Sequence, residues 1–72
     1  MIVYRFLRFG HRQEMEFDTT EMALAQALED LNNRFAAPVE IVEDGKVLMD
    51  AGWIMRFHAS KKGDTDNEQS LN

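Results

Sequence analysis

No cysteine occurs in this chain of 72 residues, so it forms no disulfide and offers no thiolate to a metal or a substrate. That absence fits a reducing compartment, and a cytoplasmic location is the expectation. Imidazoles are scarce too: His11 and His58 stand far apart and form no ligand-spaced pair. Serine is confined to Ser60 and Ser70, where no base is placed to activate a nucleophile. The four glycines, Gly10, Gly45, Gly52 and Gly63, are scattered singly, so no phosphate-cradling loop leads into a helix. No apolar run approaches the roughly 20 residues of a membrane helix. The apolar start, Met1 to Phe9, is broken by Arg5 and Arg8 and lacks the layout of a signal peptide. No catalytic residue, cofactor, metal or membrane contact is therefore expected.

The length allows one domain and not two. Residues 60–72 hold Lys, Gly, Asp, Asn, Gln and Ser with a single Leu71, too little apolar surface to offset ordering entropy. They are expected to be a disordered tail, which leaves residues 1–59 as one α+β domain. Domains this small are marginal, and some are completed by a second chain.

Charge is unevenly placed. Residues 1–12 carry Arg5, Arg8 and Arg12 and no acid, whereas residues 13–50 carry ten acids against Arg34 and Lys46. The net charge of −5 argues against broad nucleic-acid binding, which needs several cations on one face.

What is present is a clear alternation of element types. Ile2 to Phe9 is rich in β-branched and aromatic residues and runs into Gly10. Gly10-His11 suits a two-residue turn with glycine first, which sets Arg8 against Gln13, Phe6 against Met15 and Arg5 against Glu16. Ile2, Tyr4, Phe6, Met15 and Phe17 then share one face. Asp18 is the expected N-cap of a helix from about Thr19 to Phe35, with Glu21 completing a capping box and Phe17 and Met22 at staple spacing. Leu24, Leu28, Leu31 and Phe35, with Ala27, form its apolar stripe, while Glu21, Gln26, Glu29, Asp30 and Asn33 occupy the rest. Pro38 prevents continuation. Asp44-Gly45 marks a second hairpin over Val39 to Asp50, with Ile41 against Leu48, and with Val42, Val47 and Met49 on the opposite face. Residues 51–59 fit a strand through Trp53, Met55 and Phe57, or, preferably, a short helix capped by Asp50.

The reading is a ββαββ fold: two hairpins in one mainly antiparallel sheet and a single amphipathic helix on one face. A short helical turn or strand and the tail follow. A grasp-like strand order and a plain meander both satisfy it. The segment Ala36-Ala37-Pro38-Val39-Glu40-Ile41-Val42-Glu43-Asp44-Gly45-Lys46-Val47, after a Glu21-Met22-Ala23 helix start, resembles a pattern in short bacterial and phage-encoded ββαββ proteins with no assigned function. The resemblance covers about residues 1–55 and implies an architecture without an activity.

Two chemical leads are weighed and set aside. Glu14 and Glu16 lie about 7 Å apart along one strand face, a glycosidase-like spacing, but a domain this small offers no deep cleft. Tyr4-Arg5-Phe6-Leu7-Arg8-Phe9 interleaves rings and guanidiniums as single-strand nucleic-acid binders do, yet Tyr4 and Phe6 belong on the face the helix covers. Surface recognition remains. The second face of the first hairpin holds Val3, Leu7 and Phe9 with Arg5, Arg12, Glu14 and Glu16. Either the Trp53 segment folds over it, or it meets a protein partner or a second copy. Val3, Arg5, Leu7, Phe9, Trp53 and Arg56 are the candidate contact residues. The expected function is a non-catalytic interaction module, in a more specific version a phage or mobile-element protein that blocks or adapts a host complex. Single-stranded nucleic-acid binding through the Arg-rich first strand and a small enzyme are the alternatives.

Overall fold

A computed structural model describes the backbone of residues 1–71 and the side chains of residues 1–61. The elements run β1 (Ile2–Arg8), β2 (His11–Phe17), α1 (Thr20–Asn33), β3 (Ala37–Glu43), β4 (Lys46–Asp50) and α2 (Ala51–Leu71). The four strands form one antiparallel sheet in the order β2-β1-β3-β4. This is neither a grasp-like order nor a meander. β2 and β3 each run antiparallel to β1, so they are parallel to one another, and α1 carries the chain across β1 between them. The expected tail, residues 60–72, lies outside the described side chains save Ser60 and Lys61.

The first turn is Phe9-Gly10, not Gly10-His11. Phe9 (φ 55°) and Gly10 (φ 77°) both lie in the left-handed region, the requirement of a type I′ turn. The register therefore slips by two from the expected one: Arg8 opposes His11, Phe6 opposes Gln13, Tyr4 opposes Met15 and Arg5 opposes Glu14. A slip of two keeps every side chain on its face, which is why the face assignment survives while the pairs change. Phe9 has a Cβ that clashes in this conformation, and its ring is 87% exposed with little burial to offset the strain. Phe9→Asn, which creates the favoured Asn-Gly turn, is expected to raise stability by about 1 kcal/mol and Tm by about 4–8 °C. A melting curve that is unmoved or lowered would show that the ring stabilises the turn.

The N-cap of α1 is Thr19, not Asp18. Thr19 is extended (φ −131°, ψ 156°) and its hydroxyl accepts the Met22 N–H at 3.2 Å. With the cap one residue later, the Asp18–Glu21 box and the Phe17–Met22 staple both lose their spacing, and Met22 is exposed. The helix ends at Arg34, which is left-handed (φ 54°) and donates its N–H to the carbonyls of Asp30 and Leu31.

The buried line of α1 is Ala23, Ala27 and Asp30, flanked by partly buried Leu24 and Leu31, while Phe35 is half exposed. Small side chains at the centre let the helix axis approach the sheet, and the leucines fill the flanks. Asp30 thus moves from the expected solvent side into the core, where it is 4% exposed. Its carboxylate accepts the Tyr4 hydroxyl at 2.8 Å and the Gln26 amide at 2.9 Å, so the buried charge is hydrogen-bonded as it must be.

Both ladders made by β3 are kinked. Val39 is left unopposed between the Arg5–Glu40 and Phe6–Pro38 pairs, and this irregularity accommodates a proline inside a central strand. Leu48 is left unopposed between Ile41–Met49 and Val42–Val47. The bulge overturns the expected Ile41–Leu48 pairing: Met49 packs against the core and Leu48 is exposed.

Residues 51–59 are helical, as preferred. The Asp50 carboxylate caps α2 by accepting the Trp53 N–H at 2.8 Å. Ile54 is fully buried in the same cluster as Ile2, Tyr4, Phe6, Ala23, Ala27 and Ile41. His58 Nε2 donates to Asn32 Oδ1 at 2.6 Å and ties α2 to α1. α2 contacts α1, β3 and β4, so the two helices lie side by side on one face of the sheet.

Candidate interaction surface

With both helices on one side, no described element covers the other side of the sheet. The Trp53 segment therefore does not fold over this open face, contrary to one of the two expectations, but packs with α1 on the opposite side. The strand parity settles which side chains the open face holds. β1 contributes Val3, Arg5 and Leu7, and β2 contributes Arg12, Glu14 and Glu16 opposite Leu7, Arg5 and Val3 respectively. β3 contributes Glu40 opposite Arg5 and Val42 opposite Val3, and β4 contributes Val47 opposite Val42.

Three apolar residues in a row, Val3, Val42 and Val47, run across β1, β3 and β4. Val42 is 4% exposed although no helix lies on it, whereas Val47 is 54% exposed and Leu7 37%. Beside this row sits a charged knot. Arg5 Nε donates to Glu14 and Nη1 to Glu40, both at 2.7 Å, so one guanidinium bridges carboxylates from strands on either side. Those two hydrogen bonds, Glu14's first, hold the Arg5 guanidinium pKa above its already high ordinary value. The register puts Glu14, not Glu16, on Arg5, and it adds Glu40, which sequence alone did not connect to β1. A shallow hollow of ≈ 560 Å³ opens around Arg5, Arg12, Glu14, Val39 and Glu40.

The six residues singled out from sequence do not form one patch. Val3, Arg5 and Leu7 share the open face. Phe9 projects from the hairpin tip beyond it, with the Arg8 guanidinium 5.3 Å from its ring centre. Trp53 and Arg56 belong to α2, on the helical side. Trp53 stacks on Phe57 at 5.1 Å and is 38% exposed, and Arg56 is exposed. Residues that sequence reading placed less firmly, Val42 and Val47, are the apolar centre of the open face. Their signal was the apolar character of both faces of the second hairpin, which requires cover on two sides.

A second, broader hollow of ≈ 580 Å³ lies near the hairpin tip, lined by Leu7, Phe9, Leu31, Phe35, Pro38 and Met55 among others. Arg8 lies 3.9 Å from the Phe35 ring centre, a cation–π contact at the margin of this region. Its Nε is buried without a hydrogen-bond partner, so the ring face is the contact that compensates it.

The rings of the Tyr4-Arg5-Phe6 stretch are in the core: Tyr4 is 0% and Phe6 5% exposed, and they stack on each other at 4.8 Å. They are not available to stack on bases, and Arg5 is held by two carboxylates. Among the described residues, no group of three His, Cys, Asp or Glu side chains is placed to hold a metal ion. Among them too, no helix is long and apolar enough to cross a membrane. No family model, curated protein or solved structure matches this chain.

Proposed function

We propose that this chain is a small non-catalytic interaction module that binds another protein through the open face of its sheet. The observation that carries the reading is the placement of both helices on one side, which leaves an apolar row with a charged knot beside it. An interface of this make-up has an apolar centre and a polar rim. The partner would lie against Val3, Leu7 and Val47, and its own charges would meet Arg5, Glu14 and Glu40 at the margin. In a more specific version, motivated by small size, acidity and the resemblance of the Ala36 to Val47 segment to short bacterial and phage-encoded proteins, the partner is a host protein.

Leu7→Glu and Val47→Glu place charge at exposed positions on this face without touching the core. Each is expected to leave the far-UV spectrum and Tm nearly unchanged and to weaken the interaction at least tenfold, because a carboxylate would be desolvated at the contact. Binding that survives both substitutions, measured by calorimetry or sedimentation, would move the contact elsewhere.

A further inference from the structure

We infer that β2 pairs with β2 of a second copy, antiparallel, to join two sheets edge to edge. This goes beyond the interaction reading above: the contact is the edge of the sheet, not its open face, and the partner is another molecule of the same chain. β2 is an edge strand of seven residues, and every residue in it but Phe17 is exposed. It contains no proline, glycine or lysine, and its ladder with β1 runs without a bulge from Ile2–Phe17 to Arg8–His11. A proline, a lysine or a bulge would blunt an edge, and β2 has none of these; the charges it does carry, Arg12, Glu14 and Glu16, are of both signs and can pair across a symmetric contact. The other edge, β4, has only five residues, starts with Lys46 and carries a bulge at Leu48.

The hairpin determines which backbone groups are free. Arg8 and His11 close a two-residue turn and therefore form a hydrogen-bonded pair, and such pairs alternate along the ladder. Gln13, Met15 and Phe17 then bond to β1 as well, which leaves the N–H and C=O of Arg12, Glu14 and Glu16 pointing away from the sheet. The side chains of these same three residues lie on the open face in the order cation, anion, anion.

That order selects the direction of pairing. Parallel pairing in register sets like charge beside like charge. Antiparallel pairing about a two-fold axis at Glu14 sets Arg12 opposite Glu16 of the second copy, twice by symmetry, and hydrogen-bonds all three free positions. The two Glu14 carboxylates that meet at the axis each accept the Arg5 guanidinium at 2.7 Å, which offsets their repulsion. The two four-stranded sheets would then form one, with all helices on one side and the open face doubled on the other.

Charge reversal tests the pairing. The unaltered chain is expected to show a monomer–dimer equilibrium in sedimentation velocity over a wide concentration range. Arg12→Glu or Glu16→Arg alone should weaken the dimer by about tenfold or more, since two attractive pairs become repulsive. The double variant Arg12→Glu/Glu16→Arg should restore most of the affinity, and circular dichroism should show all three folded. A protein that stays monomeric at every concentration overturns the proposal, as does a dimer indifferent to both single reversals. A dimer broken by Leu7→Glu or Val47→Glu but not by Arg12→Glu also overturns the edge pairing, and leaves the open-face reading standing. Conversely, an edge dimer whose Leu7→Glu form retains every partner supports the pairing and sinks the open-face reading.

Discussion

Tyr4→Ala is expected to leave this protein largely unfolded at 25 °C. Tyr4 is fully buried at the centre of the sheet, between Ile41 across the strand and Phe6 stacked beside it. Removing a buried aromatic ring costs about 3–5 kcal/mol, and a domain of this size holds little more than that in total. Tyr4→Phe separates the ring from the hydroxyl. It keeps the packing but takes from Asp30 one of its two side-chain donors, and it is expected to cost about 1–3 kcal/mol in urea unfolding.

The pH dependence gives the same pair a second readout. Burial, the hydrogen bond to Asp30 and the charge of that carboxylate push the Tyr4 phenol well above its ordinary value near 10. The native state therefore keeps the proton when the unfolded chain has lost it. The stabilisation from this shift is complete below about pH 10 and is lost as pH rises further, by about 1.4 kcal/mol per pH unit. Tyr4→Phe should lack that part of the alkaline slope. Tyr4 is the only tyrosine, so phenolate absorbance reports this residue alone. Ionisation near pH 10 in the folded protein would show that the hydroxyl is not held in the core.

Ile54→Ala is expected to destabilise the protein by about 2–5 kcal/mol and to release α2 from the sheet. Ile54 is the one fully buried residue among the described side chains of α2, set among the core residues of α1, β1 and β3. The capping bond from Asp50 and the His58–Asn32 bond remain, but both are exposed and close little apolar area. Trp53, the only tryptophan, sits one residue away and stacks on Phe57, so a red-shifted emission should accompany the release. A loss under about 1 kcal/mol with unchanged emission would mean that the hydrophobic core of the domain closes without α2.

The faces of β1 and β2 were legible because side-chain parity has a period of two and tolerates an even slip, whereas the bulge at Leu48 exchanged the faces of Leu48 and Met49 in β4. The alternation of Ile2, Tyr4 and Phe6 therefore located the core side even though the turn was placed one residue late. The Arg5 partners were not legible in the same way. Glu14 needed the true register, and Glu40 needed β3 to lie beside β1, a choice made by the helix crossover and not by any local preference. The burial of Asp30 was not legible because its charge favours solvent while its helical spacing puts it on the buried line. Ala23, Ala27 and Asp30 stand at helical i, i+4, i+7 intervals, and the position is tolerable for a carboxylate because Gln26, one turn before it, and Tyr4, 26 residues earlier in the chain, both donate to it.

The amino-acid sequence by itself determined the element types as far as Asp50, the two hairpins, the amphipathic helix α1 and the apolar side of β1 and β2. Those follow from local periodicity and turn chemistry, which act over a few residues. Tertiary structure alone decided the strand order, the burial of Asp30 and the side of the sheet on which α2 rests. Each of these depends on which distant surfaces exclude water from one another. Ile54 closes on Ala23 and Ala27, not on Val3 and Val42, and that one packing choice leaves the face of Val3, Leu7 and Val47 open.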